Sequence, residues 1–128
     1  MKHLVRLFIV AIAASLVAGC GTDAVCSGNS CVCTAQDDCN RACEPGTSCQ
    51  VSCNGAPSCN VDCEGATICS VSCESSGTCD VTCADGGCSV TCPATGCTVR
   101  NCSDPDTCTV SCGKLGAATY SGTTATCR

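Results

Sequence analysis

From residue 39 to residue 112 the chain repeats one short unit, in most copies cysteine, a polar residue, valine, a polar residue, cysteine, then a polar run. C-x-V-x-C has period two. In an extended chain successive side chains point to opposite faces, so the cysteines and valine share one face. Pairs such as Asn60 and Asp62, or Ser70 and Ser72, lie on the other. Glycine, serine, threonine, valine and cysteine dominate the repeats and long helix formers are nearly absent, which favours strand over helix. Each block therefore predicts a very short strand. Between blocks come glycine, proline, aspartate or asparagine, the residues of tight turns.

Aligned on cysteine, the units read CNRACEPGTS, CQVSCNGAPS, CNVDCEGATI, CSVSCESSGT, CDVTCADGG, CSVTCPATG, CTVRNCSDPDT and CTVSCGKLG. The period is ten from Cys39 to Cys79, then nine, nine and eleven. Those changes fall in the turns, except that Asn101 lengthens the seventh strand, where a bulge is expected. A fixed internal period points to a repeat architecture. Two arrangements fit. In a narrow β-solenoid each unit is one coil, its Cys/Val face is covered by its own return turn, and equivalent cysteines stack at the ~4.8 Å strand spacing. In an antiparallel β-meander Cys63 faces Cys69, but the Cys/Val face lacks a second apolar layer. The solenoid is the preferred reading, although C-x-V-x-C is the same in both directions. Cysteines four apart in one strand are ~13 Å apart, too far for a disulfide, which needs Cα atoms within ~7 Å. Bridges then run across a turn, as Cys53 to Cys59, or between neighbouring strands, as Cys59 to Cys69. Spacing does not choose between them.

The N-terminus has a different character. Basic MKHLVR precedes the apolar run Leu7 to Val17 and then Val17-Ala18-Gly19-Cys20. The run is shorter than the ~20 residues that span a bilayer and suits a secretory signal. The last four residues resemble a bacterial lipobox. That resemblance, confined to this segment, implies cleavage after Gly19, acylation of the Cys20 sulfur and then of the new amino group with palmitate-type chains. Several acyl chains satisfy the two-signal requirement for stable anchoring. Gly21 rather than aspartate at the next position resembles lipoproteins sorted to the outer membrane. The expected organisation is a signal peptide over 1–19, a lipidated tether and N-terminal cap over 20–38, repeats over 39–112 and a C-terminal cap over 113–128. In the cap, Leu115 and Tyr120 are expected over the last rung, with Cys127 stapling the tail.

Without the signal the chain holds four basic residues, Arg41, Arg100, Lys114 and Arg128, against eleven acidic ones, a formal charge of −7. That sign disfavours nucleic acid. The large aliphatics are nine valines, Ile68 and Leu115, too few for a conventional core. Of 21 cysteines, Cys20 is reserved for lipid. The other twenty are Cys26, Cys31, Cys33, Cys39, Cys43, Cys49, Cys53, Cys59, Cys63 and Cys69, then Cys73, Cys79, Cys83, Cys88, Cys92, Cys97, Cys102, Cys108, Cys112 and Cys127. In an exported chain so dense a set reads as a disulfide scaffold. The bridges take the place of the missing core. A metal-binding thiolate protein of the envelope is the alternative. It would favour close pairs, yet Cys31-Val32-Cys33 is the single C-x-C and there is no C-x-x-C.

No histidine remains after the signal, so Ser-His and Cys-His catalysis lack a base. Carboxylates such as Asp37, Asp38, Asp104 and Asp106 suit solvated turns, and no catalytic activity or cofactor is expected. The architecture resembles the disulfide-laddered β-helices of beetle antifreeze proteins, more than the motif does. The regular Thr-x-Thr rows of those proteins are missing. The outward pairs Gln50/Ser52, Asn60/Asp62, Ser70/Ser72, Asp80/Thr82, Ser89/Thr91, Thr98/Arg100 and Thr109/Ser111 repeat no row, and charges interrupt them. The expectation is a rigid structural or protein-interaction module at the cell envelope. Asp62, Glu64, Glu74, Asp80 and Asp85 are its candidate contacts to an envelope or extracellular protein.

Overall fold

The computed structural model describes residues 24–26 and 28–128. The signal segment, the lipobox and Cys20 lie outside them. The strands are, in chain order, β1 (Ala24–Cys26), β2 (Gly28–Val32), β3 (Cys39–Cys43), β4 (Ser48–Ser52), β5 (Ser58–Asp62) and β6 (Ile68–Ser72). Then follow β7 (Thr78–Thr82), β8 (Cys88–Thr91), β9 (Cys97–Arg100), β10 (Cys108–Ser111), β11 (Thr119–Ser121) and β12 (Thr124–Cys127). Among the described residues a single 3-10 turn covers Gly113–Leu115. Among the described residues no helix is long and apolar enough to cross a membrane.

The fold is a narrow β-solenoid, but its coil differs from the one expected. Each coil takes two units, not one. Cys59 is in register with Cys79 and Cys49 with Cys69, so parallel neighbours stand two units apart. One sheet has the order β1-β3-β5-β7-β9-β12-β11, the other β10-β8-β6-β4-β2. From β1 to β10 the chain crosses from one sheet to the other at each turn, and only the β11–β12 hairpin stays within one sheet. The physical reason is burial. A lone coil of one unit leaves its Cys/Val face against nothing wider than a turn, whereas two facing sheets cover each other.

Within the coil, valines of the successive strands β4 to β9 form a central strip. Val51, Val61, Val71, Val81, Val90 and Val99 are all buried. Ala125 extends the strip opposite Val99. Arg41 occupies the equivalent place in β3, in register with Val61. It is only half-buried, and its Nη1 donates to the Asn40 carbonyl at 2.9 Å.

Disulfides flank the strip on both sides; nine span a single turn and the tenth, Cys112–Cys127, encloses the C-terminal cap. At one edge they are Cys26–Cys31, Cys43–Cys49, Cys63–Cys69, Cys83–Cys88 and Cys102–Cys108. At the other they are Cys33–Cys39, Cys53–Cys59, Cys73–Cys79, Cys92–Cys97 and Cys112–Cys127. Sulfurs of successive rungs touch: Cys59 to Cys73 is 3.4 Å, Cys43 to Cys63 3.7 Å and Cys83 to Cys108 3.5 Å. The rod thus has a valine strip between two columns of sulfur.

The turns are as regular as the strands. The amides of Ala56, Ala66 and Ser76 donate back to the carbonyls of Cys53, Cys63 and Cys73, three residues earlier. Their small side chains are buried beneath the turn. Neighbouring turns stack so closely that a Cβ on Gly77 would meet the Pro57 carbonyl. Asn101 does not form the bulge expected from its extra length. It adopts φ 55° just after β9 and ends the strand, with its amide Nδ2 donating to the Cys83 carbonyl at 3.1 Å and Asp85 Oδ1 at 2.8 Å.

At the C-terminal end β12 turns antiparallel onto β9, with Cys127 opposite Cys97, and β11 folds back on β12. Leu115 and Tyr120 are partly buried against the core, and the Tyr120 hydroxyl donates to the Cys108 carbonyl at 3.1 Å.

Candidate interaction surfaces

Because a coil takes two units, the outward residues sort by unit parity onto two unlike faces. The sheet of β3, β5, β7 and β9 carries one column of Asn40, Asn60, Asp80 and Thr98 and another of Ala42, Asp62, Thr82 and Arg100. The sheet of β4, β6, β8 and β10 carries Gln50, Ser70, Ser89 and Thr109 beside Ser52, Ser72, Thr91 and Ser111. The charges that break the outward pattern along the sequence all fall on the first face. The second has no charge at these positions, and hydroxyl groups fill every place but Gln50. It still lacks a Thr-x-Thr register.

The first face is tied together internally. Asn60 Nδ2 donates to Asn40 Oδ1 at 2.9 Å. Arg100 forks onto both carboxylate oxygens of Asp80, its Nη2 2.8 Å from Oδ2. Asp62 Oδ1 accepts the Glu64 amide at 2.9 Å. A shallow open depression of about 310 Å³ lies over Asn40, Asn60, Asp62, Asp80 and Arg100. It holds both charge signs on fixed backbone, suited to a polar side chain rather than to an apolar ligand.

The five acidic candidates do not form one site. Asp62 and Asp80 share the charged face, and Asp80 is already paired with Arg100. Glu64 and Asp85 lie in turns at the edge of the Cys63–Cys69 and Cys83–Cys88 rungs. Glu74 follows Cys73 and lies at the opposite edge. The edge of Glu64 also carries Glu44, Asp104 and Asp106, which the sequence reading did not group with it. The spacing of 19 to 21 residues between Glu44, Glu64, Asp85 and Asp104 was the available signal. Asp104 is held by the amides of Thr107 and Asp106, each at 3.0 Å. The Thr107 amide, ahead of its neighbours, keeps the Asp104 carboxyl below its ordinary value.

The described cysteines from Cys26 to Cys127 are all in disulfides. Five sets of three sulfurs nevertheless lie within 4.8 Å of one another, among them Cys43, Cys49 and Cys69. Comparison with known proteins finds no matching family model, curated protein or solved structure.

Proposed function

We propose that this chain is a lipid-anchored rod of the bacterial cell envelope, most simply of the outer membrane. It acts as a rigid structural spacer or protein-interaction module and not as an enzyme. The observation that carries the reading is the pair of disulfide columns enclosing a one-residue-wide valine strip. Such a section has no interior for a substrate, and its rigidity comes from bridges that an exporting compartment supplies. Lipobox residues Val17 to Cys20 support the anchor. Acidic turns and a formal charge of −7 keep the rod off anionic headgroups, so that it stands away from its own membrane.

For the module role, the charged face offers partner contacts through Asp62 and the fixed Asp80–Arg100 pair, and Glu64, Asp85 and Glu74 offer solvated carboxylates at the two edges. The test of the anchor is expression in a bacterial host with labelled palmitate. Label and membrane retention in the natural chain, both lost in Cys20→Ser, are the expected result. A soluble, unlabelled natural chain overturns the anchor. For the interaction role, crosslinking on intact cells is repeated with Asp62→Asn and with Asp80→Asn. Partner adducts unchanged in both remove these residues from the interface.

A further inference from the structure

Two of the large apolar side chains that the rod leaves exposed share its uncharged face. Val32 is in register with Ser52 and is 61% exposed. Ile68 opens β6, in register with Ser48, and is 60% exposed. Around them stand short hydroxyl side chains and the longer Gln50, and a depression of about 340 Å³ lies over Val32, Gln50, Ser52, Ser70 and Ser72. The described carboxylates keep to the other sheet and to the two edges. Glu44, Glu64, Asp85, Asp104 and Asp106 line one edge. Asp37, Asp38 and Glu74, with Lys114, lie at the other.

We propose that the uncharged face docks on the same face of a second copy of this chain, with the two rods side by side and parallel. In a rod of formal charge −7, this is the face on which copies meet without setting like charges together. Hydroxyl groups both donate and accept, so a hydroxyl surface complements itself, as an isologous contact requires. The edges select the orientation. A two-fold axis along the rod sets the column of Ser52 and Ser72 opposite the other copy's column of Gln50 and Ser70. The edge of five carboxylates then lies beside the less acidic edge, whereas a two-fold axis across the rod sets it against itself. In the parallel pair each long Gln50 reaches over the short Ser52 of the other copy, into the depression. Both N-termini lie at one end, as two chains in one membrane require; this clause rests on the anchor proposed above. Strand spacing and rise give the face about 24 Å by 17 Å, roughly 400 Å², about half of what a standard interface buries per partner. Such a contact is weak between free chains and is strengthened by the raised effective concentration of chains held together.

The test expresses the full chain in a bacterial host as two co-expressed copies with different C-terminal tags. Each carries photo-crosslinking p-benzoyl-phenylalanine in place of Ser89 on this face, or of Asn60 on the charged face. The expected result is an adduct holding both tags from Ser89 and none from Asn60. Ser70→Asp in both copies is expected to lower the Ser89 adduct at least about fivefold, because it buries unpaired carboxylates. Ser70→Asp in one copy with Ser72→Lys in the other is expected to restore it, since those positions face each other in parallel rods. Equal mixed adducts from Ser89 and Asn60, an adduct from Ser89 to another molecule and not to a second copy, or no adduct from either overturns the proposal. Palmitate labelling reads the anchor separately. An unlabelled, soluble chain that still forms the Ser89 adduct loses the anchor and keeps the interface, while a labelled, membrane-bound chain without that adduct loses the interface alone.

Discussion

Cys112 and Cys127 are joined across a sequence separation of 15, whereas every other bridge closes a separation of 5 or 6. Cys127 arrives on an antiparallel strand, opposite Cys97. It takes the place that the first cysteine of a further unit would fill, and so ends one sulfur column; its sulfur lies 3.4 Å from that of Cys92. This bridge secures the cap that covers the open edge of β9.

Removing it is expected to loosen the cap while the rest of the rod keeps its fold. In the loop-entropy account a closed loop of 15 residues contributes about 3 kcal/mol. Cys112→Ala with Cys127→Ala is expected to lose about that much in thermal unfolding, with new trypsin cleavage after Lys114. An unaltered cleavage pattern would show that Tyr120 and the β11–β12 hairpin hold the cap without the bridge.

Turn stacking sets a second expectation. A methyl at Gly77 collides with the Pro57 carbonyl of the adjoining coil, and a backbone carbonyl cannot swing away as a side chain can. Gly77→Ala is expected to cost about 1–3 kcal/mol. Its control is Ser76→Ala in the same turn, which removes a 2.7 Å hydrogen bond from Ser76 Oγ to the Cys73 carbonyl and is expected to cost about 1 kcal/mol. Chemical denaturation of both variants compares them, and equal losses would argue against the collision.

Core and surface are expected to differ sharply. Val81 is fully buried in the central strip, so Val81→Ala should cost about 2 kcal/mol from lost burial and the cavity left behind. The Asp80–Arg100 pair, with side chains 35% and 55% exposed, should contribute less than about 1 kcal/mol in a double-mutant cycle despite its forked geometry. A coupling larger than the Val81→Ala loss would reverse the account of what holds the rod.

Asp104 supplies a pH expectation. Its folded carboxyl titrates below the ordinary 3.8, so its contribution to the turn is fully present above that value. It fades as pH falls through the folded value, when protonation removes the acceptor for Thr107 and Asp106. An NMR titration should show the Thr107 amide shifting with a midpoint below 3.8 and flat above it. Asp104→Asn should abolish the step. A midpoint above that value would contradict the depression.

Much of the strand pattern was legible because the period-two alternation of C-x-V-x-C has one reading in extended chain. The turn residues were legible for a similar local reason: Gly46, Gly55 and Gly65 all have positive φ, where glycine is cheap. The grouping of surface residues was not. Asp62 and Asp80 lie on one face and Ser70 and Ser89 on the other because units alternate between sheets, and nothing within a single unit states its parity. The strand end at Asn101 was not legible for a related reason. Its side chain finds the Cys83 carbonyl and Asp85 only once the preceding coil is in place.

Local chemistry thus determined the short strands, their shared Cys/Val face, the polar turns and the shortage of large apolar side chains. Tertiary structure alone decided that two units make a coil, that bridges cross turns and that charge and hydroxyls occupy separate faces. C-x-V-x-C reads identically in either direction, and both classes of bridge satisfy the reach of a disulfide, so the isolated unit is indifferent. The choice comes from burial, because each Cys/Val face is covered fully only when a second sheet of the same units folds against it.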